Sequence, residues 1–224
     1  MPSELPERAS REKMVLCICG MAGSGKSTVA KKLARHYGLR YLSGGDALKA
    51  VAADLGYKTD RKGWWETEDG IRFLKERVDN LEIDRKVDQK LLEWARGKGV
   101  VLDSWAMPWL LKKGFKVWLE ASEEERARRV ARRGSLGVEE ASRFMREKEE
   151  KTKAIYRKLY GFSLGEDFSP FHLILDVNQL SKEEVFQALR MAIDSMVLRE
   201  KGVPIRNLEP SRSKALGETA STRR

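Results

Sequence analysis

The run Met14 to Cys19 (MVLCIC) is apolar at every position, the pattern of a short strand buried on both faces. After it, Val29, Leu33 and Ala34 recur at helical spacing up to Gly38, which predicts a helix. Short apolar stretches at 40–42, 100–102, 115–119 and 172–177 predict four more strands with helical patterns between them, so their C-terminal ends share one edge of a parallel sheet. The second and third strands are separated by Ser43-Gly44-Gly45-Asp46, a helix over 47–55, a polar stretch over 56–69 and helical segments over about 70–97. Ser122 with Glu125 and Ser181 with Glu184 have the spacing of capping boxes and predict two helix starts, the first helix rich in arginine and the last running to about Arg199. A turn at 134–137 leads into a second charged helix over 138–160.

Composition narrows the setting. Hydrophobic residues make up 41% of the 224 positions, enough for a sizeable interior, and no apolar run approaches the ~20 residues that span a bilayer. Residues 1–13 interleave acids and bases with two prolines and lack the apolar stretch of a secretory signal, so the expected address is the cytosol. Cys17 and Cys19, two apart on one strand face, lie at the edge of disulfide reach and are expected to be small buried apolar residues. Three Asn and three Gln beside abundant Lys, Arg and Glu suit a protein from a hot environment. Lys plus Arg number 44 against 34 Asp plus Glu, a net charge of +10. Six bases and two acids fall in 201–224, a segment with Gly, Pro and Ser and no periodicity that reads as a disordered basic tail. That balance suits either nucleic acid or a phosphorylated small molecule.

Residues Gly20-Met21-Ala22-Gly23-Ser24-Gly25-Lys26-Ser27-Thr28 spell G-x-x-x-x-G-K-[ST] between an apolar strand and a helix, the setting a P-loop requires. Glycines let consecutive backbone N–H groups turn toward phosphate oxygens, and the helix N-terminus adds positive potential. Lys26 supplies a cation for the outer phosphates, and the Ser27 hydroxyl reaches Mg²⁺. The expected cofactors are therefore ATP and Mg²⁺. Asp103 follows an apolar strand beside the P-loop, which suits either a carboxylate that holds Mg²⁺ or its water, or an ordinary strand-end turn. Gly45 and Asp46 are expected at the open edge, and Asp84 and Asp88 share a helix face, placed either to meet an acceptor base or ribose or to favour the helix dipole. Trp64 and Trp65 are suited either to stack a base or to anchor the polar stretch on the core, and Trp105 either to contact the acceptor or to pack. His36 and His172 carry no assigned chemistry.

The P-loop, Ser43-Gly44-Gly45-Asp46, the helix from Glu82-Ile83-Asp84 to Asp88, the paired charged helices through Glu147 to Tyr160, and Asp176-Val177-Asn178 together resemble the archaeal-type cytidylate kinases of the nucleoside monophosphate kinase family, over about 13–197. The resemblance implies a three-layer α/β/α P-loop kinase with a five-stranded parallel sheet, spanning about 13–200 after a flexible 1–12. It implies an acceptor-binding helical insertion over about 46–80 and a helical lid over about 126–157. The implied reaction is transfer of the ATP γ-phosphoryl group to CMP or dCMP, with small-molecule nucleotides as partners and no membrane. Lys26, Asp103, Arg129, Arg133 and Arg146 are the implied catalytic groups, and Gly45, Asp46, Lys49, Asp84, Asp88 and Trp105 the implied acceptor contacts.

Several positions depart from the family pattern. Lys49 stands where the pattern has Arg, Asp103-Ser104-Trp105 replaces Glu-Gly-Arg, and Lys148 and Ile155 replace arginines on the second lid helix. Arg129, Arg133, Arg146 and Arg157 are the available substitutes. Two other readings remain open at this point: a P-loop kinase for another small acceptor, and an RNA- or ribosome-associated ATP-binding factor working through the basic tail.

Overall fold

The computed structural model describes residues 14–60, 63–96 and 99–197; the expected N-terminal arm and basic tail lie outside them. Five strands, β1 (Val15–Cys19), β2 (Arg40–Ser43), β3 (Val100–Asp103), β4 (Phe115–Glu120) and β5 (Leu173–Asp176), form one sheet in the order β2-β3-β1-β4-β5. Every pairing is parallel, with Ile18 opposite Asp103 and Cys19 opposite Trp118, so all C-terminal ends lie on one edge. Among the described residues eight α-helices surround it: α1 (Lys26–Tyr37), α2 (Gly44–Asp54), α3 (Glu68–Asp79), α4 (Glu82–Ala95), α5 (Met107–Leu110), α6 (Glu123–Gly134), α7 (Val138–Tyr160) and α8 (Lys182–Met196). None is long and apolar enough to cross a membrane.

The alternation of β1 divides the interior. Leu16 and Ile18 pack with Val29 and Leu33 of α1 and Leu189 and Ile193 of α8, while Cys17 and Cys19 face Leu91, Leu102, Trp118 and Phe73 on the other side. Both thiols are wholly buried and unbridged, and burial pushes the Cys19 thiol up to about 12, which leaves it an inert packing group. Helices α6 and α7 form a hairpin with its own small core of Ala127, Val130, Ala131, Ala141 and Met145, against which Ala22 of the loop after β1 packs.

Three expectations change in the structure. The helix expected over 47–55 starts earlier, at Gly44: the Ser43 hydroxyl caps it by accepting a hydrogen bond from the Asp46 N–H at 3.1 Å. Asp103 closes β3 instead of following it. The capping box at Ser122 is half formed. Its hydroxyl accepts from the Glu125 N–H, but the Glu125 carboxylate pairs with Arg129 and Arg128, and the Ser122 N–H donates instead to Asn178 Oδ1. The box at Ser181 and Glu184 is complete.

Candidate active site

The C-terminal edge of the sheet opens into a cavity of about 360 Å³. One wall is the loop from β1 to α1. Gly25, the N-cap of α1, has a φ of 93°, and a Cβ there would meet nothing within 4 Å, so the backbone faces open space. Gly23 is held the other way, for a Cβ would lie 2.6 Å from the Arg126 carbonyl oxygen. That close approach fastens the loop to the start of α6. Arg126, 7% exposed, strengthens it by donating to the Ala121 and Ala22 carbonyls and to Glu149, whose Oε1 also accepts from the Ala22 N–H at 3.2 Å. Both residues occupy apolar stripes, Arg126 beside Ala127 and Val130, and Glu149 one turn beyond Met145.

Lys26 Nζ lies 3.5 Å from the Met21 carbonyl of its own loop and 5.5 Å from the centre of the Trp105 ring. The Trp105 indole N–H donates to the Gly20 carbonyl at 2.6 Å, which fixes the ring beside the loop. Lys148 reaches the same place from α7, 4.1 Å from the Trp65 ring and 5.6 Å from that of Trp105. Two aromatic faces and the cavity thus gather two cations, one from each side. Arg133 also lines the cavity.

Ser27 and Asp103 line this wall together. Asp103 is 3% exposed, and its Oδ2 accepts from the Tyr41 hydroxyl at 2.8 Å, which orients the carboxylate. A hydroxyl and one carboxylate are hard oxygen donors and few in number, a set that fits Mg²⁺, which keeps several waters and completes its shell with phosphate oxygens.

The far end of the cavity is built from α3, α4 and α7. Arg77, 1% exposed, donates from Nε and Nη2 to the two oxygens of Asp84 at 3.0 and 2.5 Å. Asp88 sits one turn further along α4, 4% exposed, and accepts at Oδ2 from the Tyr160 hydroxyl at 3.0 Å. Burial, then the neighbouring Asp84, raise the Asp88 carboxyl to about 7, against the lowering effect of Tyr160 and Arg77. Trp64, Trp65 and Tyr156 complete the wall, with Lys49 and Asp46 of α2 at its rim.

Of the residues singled out in the sequence, Lys26, Ser27, Asp103, Gly45, Asp46, Lys49, Asp84, Asp88, Trp105 and Arg133 share this one cavity. Arg129 and Arg146 do not line it. Arg129 donates to Glu125 and to the Ser24 and Val177 carbonyls, on the other side of the loop. Arg146 is 65% exposed and donates to Glu123 at 2.6 Å on the outer face of the hairpin. Arg157 likewise faces Ser163 and Glu166. Ile155, 1% exposed, is a core residue. Sequence reasoning passed over Arg77, Tyr160, Tyr41 and Glu149. Arg77 left a signal, because it continues the apolar stripe of Phe73 and Leu74 and is a charge where packing was due.

The profile of the cytidylate kinase-like family matches residues 15–179. The chain is 34% identical over 187 residues to a cytidylate kinase of Pyrococcus horikoshii, covering 83% of this chain and 91% of that one. A cytidylate kinase of Methanopyrus kandleri is 33% identical over 198 residues, 84% of this chain and 96% of its own. Among solved structures, a shikimate kinase of Acinetobacter baumannii superposes with a TM-score of 0.51 at 20% identity, over 86% of this chain and all of that one. A gluconokinase of Sinorhizobium meliloti gives 0.51 at 20% identity over 80% and 91%. These two likenesses show the shared P-loop kinase fold.

Proposed function

The chain belongs to the cytidylate kinase-like family, and on that premise we propose that it transfers the γ-phosphoryl group of ATP to a pyrimidine nucleoside monophosphate, CMP or dCMP. The observation that carries this reading is that one cavity connects Lys26 and Ser27 of the phosphate-binding loop to a buried carboxylate and arginine cluster on α3 and α4. A donor phosphate chain at one end and an acceptor base at the other put the reacting phosphoryl between them.

Phosphoryl transfer asks a protein mainly for position and positive charge. The backbone N–H groups of the loop and Lys26 would hold the β- and γ-phosphates. Ser27 and Asp103 would hold the Mg²⁺, with Tyr41 keeping the Asp103 carboxylate turned to it. When bound, the metal offsets charge developing on the phosphate oxygens. Gly45, Asp46 and Lys49 would receive the acceptor's phosphate and sugar. Lys148 and Arg133, arriving from the α6–α7 hairpin, would neutralise the transferring group while the hairpin, as a lid, excludes water. Lys148 is a point charge without a guanidinium's fork, so its direction is set by the flanking rings of Trp65 and Trp105.

The reading is tested by ³¹P NMR of ATP, Mg²⁺ and CMP with the protein. Resonances of CDP and ADP should grow together; inorganic phosphate with unchanged CMP would contradict it. Lys148→Met is expected to lower kcat about 10- to 100-fold, the size typical for loss of one charge-stabilising donor, with a melting temperature within about 2 °C of the parent because the side chain is half-buried at the cavity edge. Arg146→Met, facing Glu123 outside the cavity, should leave kcat within about twofold; an equal loss in both variants would contradict the assignment.

A further inference from the structure

The hairpin of α6 and α7 grips three consecutive residues of the phosphate-binding loop. Arg126 Nη1 donates to the Ala22 carbonyl at 3.0 Å, and Glu149 Oε1 accepts from the Ala22 N–H at 3.2 Å, so both backbone polar groups of that residue are taken. A Cβ on Gly23 would lie 2.6 Å from the Arg126 carbonyl oxygen, and Arg129 Nη1 donates to the Ser24 carbonyl at 3.4 Å. Arg126 and Glu149 also bond to each other, Nη1 to Oε1 at 2.6 Å and Nη2 to Oε2 at 3.5 Å, and both are buried. Neither lines the cavity, whereas Ala22 and Gly23 do.

A buried ion pair adds little stability over apolar residues of the same volume, so stability alone does not account for one here. The place of this pair on the hairpin gives it another use. Arg133 follows Arg126 by seven positions, about two turns, and so shares its face of α6. Lys148 directly precedes Glu149 on α7, about 100° away round the helix, so one side chain reaches the cavity while the other reaches the loop. Fixing Arg126 and Glu149 against Ala22 therefore sets the height and rotation at which Arg133 and Lys148 meet the cavity. Glu149 also brings a negative charge up to a loop that must hold donor phosphates, and the Arg126 guanidinium offsets it.

Resting on the reading of this cavity as the site of phosphoryl transfer from ATP, we propose that Arg126 and Glu149 are positioning residues that hold the donor loop and the cations of the hairpin in one register. The coupling runs both ways. A hairpin held in place shapes the loop for phosphate, and phosphate in the loop steadies the hairpin.

The test compares the parent with Glu149→Gln, Arg126→Lys and the double variant Arg126→Met with Glu149→Met. Each is titrated calorimetrically with the non-hydrolysable β,γ-imido analogue of ATP and Mg²⁺, assayed for kcat and KM with CMP, and melted. The double variant loses both charges with the volume still filled, so its thermal midpoint should lie within about 3 °C of the parent's. Its affinity for the analogue should nevertheless fall about tenfold and its kcat about 10- to 100-fold, while KM for CMP changes less than about threefold. Glu149→Gln keeps an oxygen for the Ala22 N–H and for Arg126 and should hold the parent's affinity within about threefold. Arg126→Lys cannot span Ala22 and Glu149 with a fork and should weaken the analogue about threefold or more, which keeps the proposal open to refutation if the double variant folds poorly. In the parent the analogue should slow amide hydrogen exchange along α6 and α7, and in the double variant that slowing should be lost. A double variant with the parent's affinity, kcat and exchange response, or a lysine variant with the parent's affinity and kcat, would make the pair merely structural and overturn the proposal. A parent that binds the analogue but leaves CMP unphosphorylated would overturn the proposed function, and the affinities and the exchange would still decide the role of the pair.

Discussion

Lys26→Ala is expected to lower turnover about a thousandfold, some 4 kcal/mol of transition-state stabilisation, while the thermal midpoint stays within about 2 °C of the parent. The side chain contributes little to the fold. Among the described residues its one hydrogen bond, to the Met21 carbonyl, is 3.5 Å long, and its contact with the Trp105 ring is made at 5.5 Å. Charge at the outer phosphates is what its removal takes away, and Lys26→Arg should rescue poorly because a planar fork does not fit where a compact ammonium sits. ATP turnover by the alanine variant at the parent's rate would contradict the role assigned to the loop.

The largest effect on stability is expected at Arg77. Replacing it with alanine leaves the Asp84 carboxylate, 1% exposed, buried without its two donors and next to a second carboxylate at Asp88. Breaking a buried pair from one side costs about 3–5 kcal/mol, so the urea midpoint should fall sharply at pH 8 with little change in slope. Arg77→Met with Asp84→Leu together should recover most of the stability, since both charges leave at once and the volume stays filled. A single variant as stable as the parent would mean that solvent reaches the pair.

How much of this was legible in the chain follows from distance along it. The apolar run of β1 and the glycines after it are local signals, and they placed the sheet's centre and the phosphate-binding loop. The start of α2 was set three residues late, at 47, because glycines carry no helical signal, yet the Ser43 cap holds Gly44 and Gly45 in its first turn. The cluster at the far end of the cavity joins Arg77 to Asp84 across the α3–α4 corner, and Asp88 to Tyr160 across 72 positions. A periodic pattern reads each of those residues alone and cannot pair them. The arginines of the hairpin illustrate the opposite failure. Five of them on α6 look equivalent in sequence, but Arg126 is buried under the loop, Arg129 is tied to backbone carbonyls, Arg128 pairs on the surface with Glu124, and Arg133 lines the cavity. Which face of a helix meets a site is decided by packing, and Lys148, a departure from the family's arginine, lies between the two tryptophan rings while Arg146 lies outside.

The proposed reaction needs one cavity to serve donor and acceptor together. A coupled assay of ADP formation from ATP and Mg²⁺ at elevated temperature, with CMP, dCMP, UMP, AMP, GMP, dTMP or no acceptor, tests it most directly. Turnover that depends on the acceptor and is fastest with a cytosine monophosphate is the predicted result; ADP release that no monophosphate changes would contradict it.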